Sequence, residues 1–241
     1  MDVGLLGAGH IARALAEGWS LPRERPGRPR RLAFFDVVPD VAAALAADTG
    51  GVAAADAEAL VQGSDVVVVA VRPPQVDAVV REVGPLLGER ALVSVAAGVP
   101  LARLAAALPH GARIGRVMPN VAAVLGLGVF LLAPGTLGPA RDAVVELFGS
   151  IGTVVEVDEG RFDAATAVAG CMPGYVARIV AAFTAAGVAA GLDGDMAQRL
   201  AVAGMQGAAA VVARAGAPGP VVESAATPGG MTAAGVAALE R

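Results

Sequence analysis

Residues 3–15, "VGLLGAGHIARAL", read as a short strand, a tight turn and the start of a helix. Gly7, Gly9 and Ala12 fill the three small positions of a G-x-G-x-x-G/A pattern. The first permits a sharp turn, the second lets a ligand approach the backbone, and the third lets the helix pack closely with its first amides facing an anion. In a chain with 32 glycines the triplet alone says little. Its position after an apolar strand and before an amphipathic helix identifies a dinucleotide-binding turn, completed here by Ala8, His10 and Ile11.

The next apolar run, "RLAFFD", ends in Asp36. A carboxylate at the end of a second strand accepts both hydroxyls of a ribose and repels a 2′-phosphate. Val37 and Val38 follow it and offer no cation, which favours NAD(H) over NADP(H). Arg28, Arg30 and Arg31 lie in "PRERPGRPRR" (22–31), read as a solvated surface loop. They would reverse the preference if that loop folded over the adenosine.

Beyond the turn, "DVVVVAV", "ALVSVAAG", "RIGRVM" and "TVVEV" are apolar runs of strand length. They alternate with helical patterns in "DVAAALAADTG", "PPQVDAVVREVGPLL" and "LARLAAALP". Such alternation predicts an α/β domain over 1–157, a mostly parallel sheet covered on both faces. From residue 158 the alternation stops. Two long helical patterns follow, apolar or small on nearly every face, so 158–241 is expected to be all-α. Helices with so little polar face need burial on most sides, and the expected solution is a homo-oligomer built through this region.

Composition excludes several classes. A net charge of −4 gives no general attraction for nucleic acid. All 18 cationic side chains are arginine, which removes lysine Schiff-base chemistry and the lysine of a phosphate-binding P-loop. Cys171 is the single cysteine, so neither an internal disulfide nor a structural zinc site is expected, and no metal is called. The strongest candidate for a membrane span, "AVAGCMPGYVARIVAAFTAAGVAAGL", contains Pro173 and Arg178 and is read as a buried helix. The stretch "MDVGLLGAGH" has no basic n-region before its apolar residues, so it is not expected to act as a secretory signal, and a cytoplasmic protein is expected.

Near the chain's end "TPGGMTAAG" (227–235) sets a proline and two glycines before a last helix. Read alone, it is a turn that caps a helix. With both ends read, the full sequence resembles the pyrroline-5-carboxylate reductase family. "GAGHIARAL" is similar to the family's "GAGNMA", "VVVVAVRPPQV" to "AVKPQ" and "RIGRVMPNVAA" to "RVMPNTPA". "FDAATAVAGCMPGYV" is similar to "DAVTALSGSGPAY", and "TPGGMTAAGVAALE" to "SPGGTTIAGLRALE". The resemblance implies a Rossmann-type domain, a C-terminal all-α domain that forms a homodimer, and NAD(P)H-dependent reduction of a cyclic imine carboxylate, 1-pyrroline-5-carboxylate to L-proline.

It also implies roles. The loop from Thr227 to Thr232 binds the substrate carboxylate, with Gly229 and Gly230 allowing close approach and the Met231 N–H and the Thr227 hydroxyl as donors. Thr232 lies beside the imine nitrogen, as the catalytic residue. Met118, Pro119 and Asn120 position the nicotinamide ribose, and Ala70, Val71, Arg72 and Pro73 form the loop beneath it. His10 replaces the family's asparagine and is expected at the pyrophosphate; His110 reads as a surface residue. The chain departs from the pattern at Val121-Ala122, Cys171-Met172, Gly174 and Met231, which suggests a reshaped pocket. A specialised imine or ketimine reductase acting on a substituted ring is therefore the alternative, and a non-catalytic nucleotide-binding protein the third reading.

Overall fold

The computed structural model describes residues 1–22 and 25–241, so Arg23 and Glu24 of the arginine-rich loop lie outside the described residues. The chain divides into two compact units, Met1–Pro173 and Gly174–Arg241. The change of sequence pattern falls earlier, at residue 157.

Within the first unit, β1 (Asp2–Leu6) runs through the glycine turn into α1 (His10–Ser20). Next come β2 (Arg31–Phe35), α2 (Pro39–Thr49), the two-residue β3 (Val52–Ala53) and α3 (Ala57–Gln62). β4 (Val66–Val69), α4 (Val76–Val83), β5 (Ala91–Ser94), α5 (Leu101–Ala107) and β6 (Arg113–Met118) continue the alternation. β7 (Gly128–Ala133), α6 (Arg141–Gly149) and β8 (Gly152–Glu156) complete an eight-stranded sheet of order β3-β2-β1-β4-β5-β6-β7-β8. This is a doubly wound arrangement with the strand order reversing beside β1.

All pairings are parallel except β6 with β7. The reason lies in the connection. A single 3-10 turn at Val121–Leu125 links β6 to β7, too little chain for a crossover helix, so β7 returns antiparallel. α6 then carries the chain across to make β8 parallel to β7. Neither β7 nor β3 is among the strands read from sequence; β3 is two exposed residues long.

"VVVV" in β4 shows why these strands lack a polar face. Val66 and Val68 enter the core with α1, α2 and α6, while Val67 and Val69 enter the opposite core with α3, α4 and α5. Both faces are covered, so all four positions are apolar. Trp19 closes the first core, its indole N–H donating to the Leu147 carbonyl at 3.0 Å.

The first unit extends past β8 because several contacts hold residues 159–170 to the sheet. Phe162 of α7 (Phe162–Ala165) is fully buried, with the Arg116 guanidinium 4.1 Å from its ring centroid. Arg116 also donates from Nη1 to Glu159 Oε1 at 2.8 Å, and the same oxygen accepts the Leu101 N–H at 3.1 Å. A π turn, Thr166–Gly170, follows α7.

The second unit holds most of α8 (Met172–Ala189), then α9 (Gly194–Ala215), α10 (Pro218–Ala225) and α11 (Met231–Leu239). Asp193 caps α9 by accepting the Met196 N–H at 2.9 Å, and Gly216, at φ 75°, ends it. Among the residues of these four helices only Ala197 is buried. Ile179, Phe183, Leu200 and Val211 are all exposed. The run Glu159–Ala189 is long and apolar enough to cross a membrane by length and composition.

Candidate functional site

The turn between β1 and α1 is built on Gly7, whose φ of 93° is left-handed. A Cβ there would also lie 2.9 Å from the carbonyl carbon and oxygen of Ala70, so close packing excludes a side chain as well. Gly7 N–H donates to the Phe35 carbonyl at 2.8 Å, stitching the turn to the end of β2. Gly9 differs. It is the N-cap of α1 in extended conformation (φ −75°), and a Cβ on it would meet nothing within 4 Å. The helix start therefore opens onto free space, with no side chain capping its amides. His10 is exposed at this opening, Ile11 is half-buried, and Ala12 is buried beneath the sheet's first face.

Asp36 stands at the end of β2 as a clamp. Its Oδ2 accepts the Ala8 N–H at 2.9 Å and its Oδ1 accepts the Val38 N–H at 3.0 Å. Both carboxylate oxygens are thus fixed by backbone amides, one in the glycine turn and one in the loop to α2. A carboxylate held this way keeps lone pairs free on its outer side.

A cavity of about 350 Å³ opens beside this clamp. Gly7, Gly9, Asp36, Val37 and Val38 line one wall, and Val71 and Arg72 with Gln75, Val79 and Glu82 of the α4 segment line the other. Gln75, Val79 and Glu82 were not singled out from sequence. Their spacing of four and three residues after "VRPP" places them on one helical face, and that spacing was the available signal. Ala70 is buried against Gly7, while Arg72 and Pro73 are exposed at the rim.

Arg28, Arg30 and Arg31 make their contacts elsewhere. Arg30 binds Asp2 in a bidentate pair, Nε to Oδ1 at 3.0 Å and Nη2 to Oδ2 at 2.8 Å. Arg31 is the first residue of β2, at the opposite end of the strand from Asp36. Arg28 lines a small pocket with Trp19 and Ser150. None of the three lines the cavity at Asp36.

At the same edge of the sheet β6 ends in Met118, followed by buried Pro119 and Asn120. Asn120 is 6% exposed, and its amide is committed to the protein. Nδ2 donates to the Ala169 carbonyl and Oδ1 accepts the Val129 N–H, both at 3.2 Å. His110 is exposed in the loop before β6.

In the second unit, Thr227–Gly230 forms a turn closed by Gly230 N–H to the Thr227 carbonyl at 2.9 Å. Gly229 has φ 74°, which requires glycine. A Cβ on Gly230 would strike the Thr227 hydroxyl oxygen at 2.7 Å. Gly230 is the N-cap of α11, and no side chain caps that helix. The amides of Met231 and Thr232 thus face outward from a helix start that favours an anion. Thr232 is exposed in the first turn, and Met231 beside it is 94% exposed. Among the described residues no cluster of histidine, cysteine and carboxylate side chains is arranged to hold a metal ion.

A family model described as pyrroline-5-carboxylate reductase dimerisation matches residues 159–241, and one described as NADP oxidoreductase coenzyme F420-dependent matches residues 2–98. A pyrroline-5-carboxylate reductase of Pisum sativum is 36% identical over 251 residues, covering 99% of this chain and 88% of the pea protein. Among solved structures, the 1-pyrroline-5-carboxylate reductase of Streptococcus pyogenes superposes with a TM-score of 0.87 at 26% identity, covering 100% of this chain and 91% of that one. The Plasmodium falciparum pyrroline carboxylate reductase, with NADP bound, gives 0.86 at 25% identity, covering 100% and 89%. With the nucleotide turn and the open start of α11 at either end of such an alignment, the chain belongs to the pyrroline-5-carboxylate reductase family.

Proposed function

We propose that this protein reduces 1-pyrroline-5-carboxylate to L-proline with NADH. The observation that carries the reading is the uncapped start of α11, where glycine-shaped backbone leaves amides open to a carboxylate. The turn at Gly7–Gly9 fits a dinucleotide: nothing fills the space beyond Gly9, and the cavity beside Asp36 has room for an adenosine. A reduced nicotinamide coenzyme held by this turn would supply the hydride.

Reduction of the imine adds one hydride at carbon and one proton at nitrogen. In this reading the N–H groups of Met231 and Thr232 and the Thr227 hydroxyl hold the carboxylate, so the ring cannot rotate. The Thr232 hydroxyl orients the ring nitrogen and relays a proton to it, taking a replacement proton from solvent water as it gives up its own. A protonated imine accepts hydride without a stronger acid, in keeping with the absence of histidine, lysine and carboxylate from the Thr227–Thr232 segment.

Asp36 supports NADH over NADPH. Its carboxylate is tied through both oxygens, so it cannot swing aside for a 2′-phosphate, and Arg28, Arg30 and Arg31 do not line its cavity. A homodimer through the C-terminal helices, with no membrane or nucleic-acid partner and in the cytoplasm where the reduced coenzyme is held, completes the proposal. A second reading, a larger or substituted cyclic imine, has one observation in its favour: the 94% exposure of Met231 beside the carboxylate loop.

The test is oxidation of NADH and NADPH by purified protein with 1-pyrroline-5-carboxylate, repeated with a six-membered cyclic imine acid. Faster turnover of the five-membered ring with NADH is expected. Preference for the six-membered ring would move the substrate to the second reading, and preference for NADPH would overturn the role given to Asp36. Thr232→Val should lower kcat on the order of 100-fold with coenzyme affinity unchanged; unchanged kcat would remove Thr232 from the mechanism.

A further inference from the structure

Asn120 directs its side chain away from the open sheet edge and into the protein, where its amide bridges two segments distant in sequence. Oδ1 accepts the N–H of Val129, in the strand that returns beside β6, and Nδ2 donates to the carbonyl of Ala169. Ala169 lies in the π turn Thr166–Gly170, where the backbone widens so that Cys171 N–H bonds to the Thr166 carbonyl at 3.0 Å. Such widened turns recur at functional sites because they re-aim the residues that follow.

Met118 supports the turn from below. A Cβ added to Gly170 would lie 3.7 Å from both Cγ and Cε of Met118, and 3.2 Å from Cγ2 of Thr166. The turn therefore rests on Met118 and is tied by Asn120, two residues of one short segment. That segment leaves β6 at the carboxyl edge of the parallel strands, where Gly7, Asp36 and Val71 also lie after β1, β2 and β4. Ligands of doubly wound sheets bind along this edge. Cys171 and Met172, next after the turn, are exposed.

We propose that Asn120 is a positioning residue for the imine, acting through the π turn and not through the coenzyme. It fixes the path of Gly170, Cys171 and Met172 at the carboxyl edge of the sheet, and so one wall of the substrate side. This rests on the imine reductase reading above. Buried amides of this kind leave little slack, since breaking one bond strands the partly buried Ala169 carbonyl.

Asn120→Asp separates the two contacts. Aspartate still accepts the Val129 N–H, but it has no donor for Ala169 and sets a carboxylate against that carbonyl. Three quantities are compared in the full-length protein: amide hydrogen exchange across residues 164–173, the NADH dissociation constant, and kcat/KM for 1-pyrroline-5-carboxylate. Exchange in the turn should rise about tenfold and kcat/KM for the imine fall about tenfold, the effect of one lost hydrogen bond, while NADH affinity stays within about twofold.

Gly170→Ala keeps Asn120 and crowds the same turn, its methyl 3.2 Å from Cγ2 of Thr166 and in ordinary contact with Met118. It should reproduce the pattern, and it decides the matter if Asn120→Asp does not fold. A tenfold loss of NADH affinity would make Asn120 a coenzyme ligand and overturn the proposal. Faster exchange with unchanged kcat/KM would leave a structural tie only, and also overturn it. If the wild-type protein turns over no cyclic imine, the substrate reading fails by itself, and unchanged exchange in the variants would then refute the tie.

Discussion

Gly7 and Gly9 occupy one motif and are glycine for different reasons. Gly7 is required by the fold: its left-handed φ excludes most side chains, and a Cβ would press on the Ala70 backbone. Gly9 is required only by what occupies the space beyond it, since its φ suits any residue and a Cβ there touches no atom. Gly7→Ala should therefore destabilise the protein by about 2 kcal/mol or more. Gly9→Ala should leave the melting temperature nearly unchanged and weaken NADH binding at least tenfold. Thermal unfolding and coenzyme titration of both variants check this; equal loss of stability in the two would mean Gly9 also supports the fold. The motif was legible in sequence, and so was the position of Asp36. The double clamp of Asp36 was not: the Val38 N–H is a local partner, but Ala8 approaches only once β1 and β2 are paired. Asn120 was named from the "MPN" segment, but sequence carries no sign that its amide faces Ala169, 49 residues away.

At the scale of elements, the helices on the second face of the sheet are joined by charge as well as by apolar contact. Arg103 of α5 donates from Nε to Asp77 Oδ1 of α4 at 2.8 Å, which holds the Asp77 carboxyl below its ordinary 3.8. A carboxyl depressed in the folded state contributes stability above its unfolded pKa, and that contribution is lost as pH falls through the lower folded value. Arg103→Ala should raise the Asp77 titration, followed by carboxyl NMR, toward 3.8. The stability difference from wild type should be small at neutral pH, because the pair is partly exposed, and should vanish once the pH has fallen below the lowered folded value. A difference that persists in acid would assign the effect to lost packing of the arginine stem. Six strands and the long helices announced themselves by runs of apolar residues at strand or helix spacing. β7, "GVFLLA", is equally apolar, yet its antiparallel direction follows from the short link at Val121–Leu125, a property of the connection and not of the strand. α3 and α6, six and nine residues long, were not singled out, although the seven-residue α5 was.

The molecule as a whole is unevenly finished. The first unit buries its valines and leucines on two faces of a sheet, whereas the second leaves Ile179, Phe183, Leu200 and Val211 open, Phe183 at 54% exposure. Exposed apolar surface of this extent marks an interface, and the matched dimerisation family spans these helices. The sequence showed the same imbalance, helices without a polar face, and left the identity of the covering surface to be inferred. A second copy of this chain is the occupant proposed here. Its burial would be coupled to folding, so the melting temperature of the wild-type protein should rise with protein concentration. Phe183→Glu together with Ile179→Glu sets charges on the α8 face and should convert the oligomer to monomers in light scattering, with loss of that concentration dependence. The unit formed by Met1–Pro173 has its own hydrophobic cores, so NADH binding should survive in the monomeric variant while imine turnover falls sharply. An oligomer that persists through both substitutions would place the interface on another face. A wild-type chain that remains dispersed only in detergent would instead assign the run Glu159–Ala189 to a lipid surface, reversing the expectation drawn from Pro173 and Arg178.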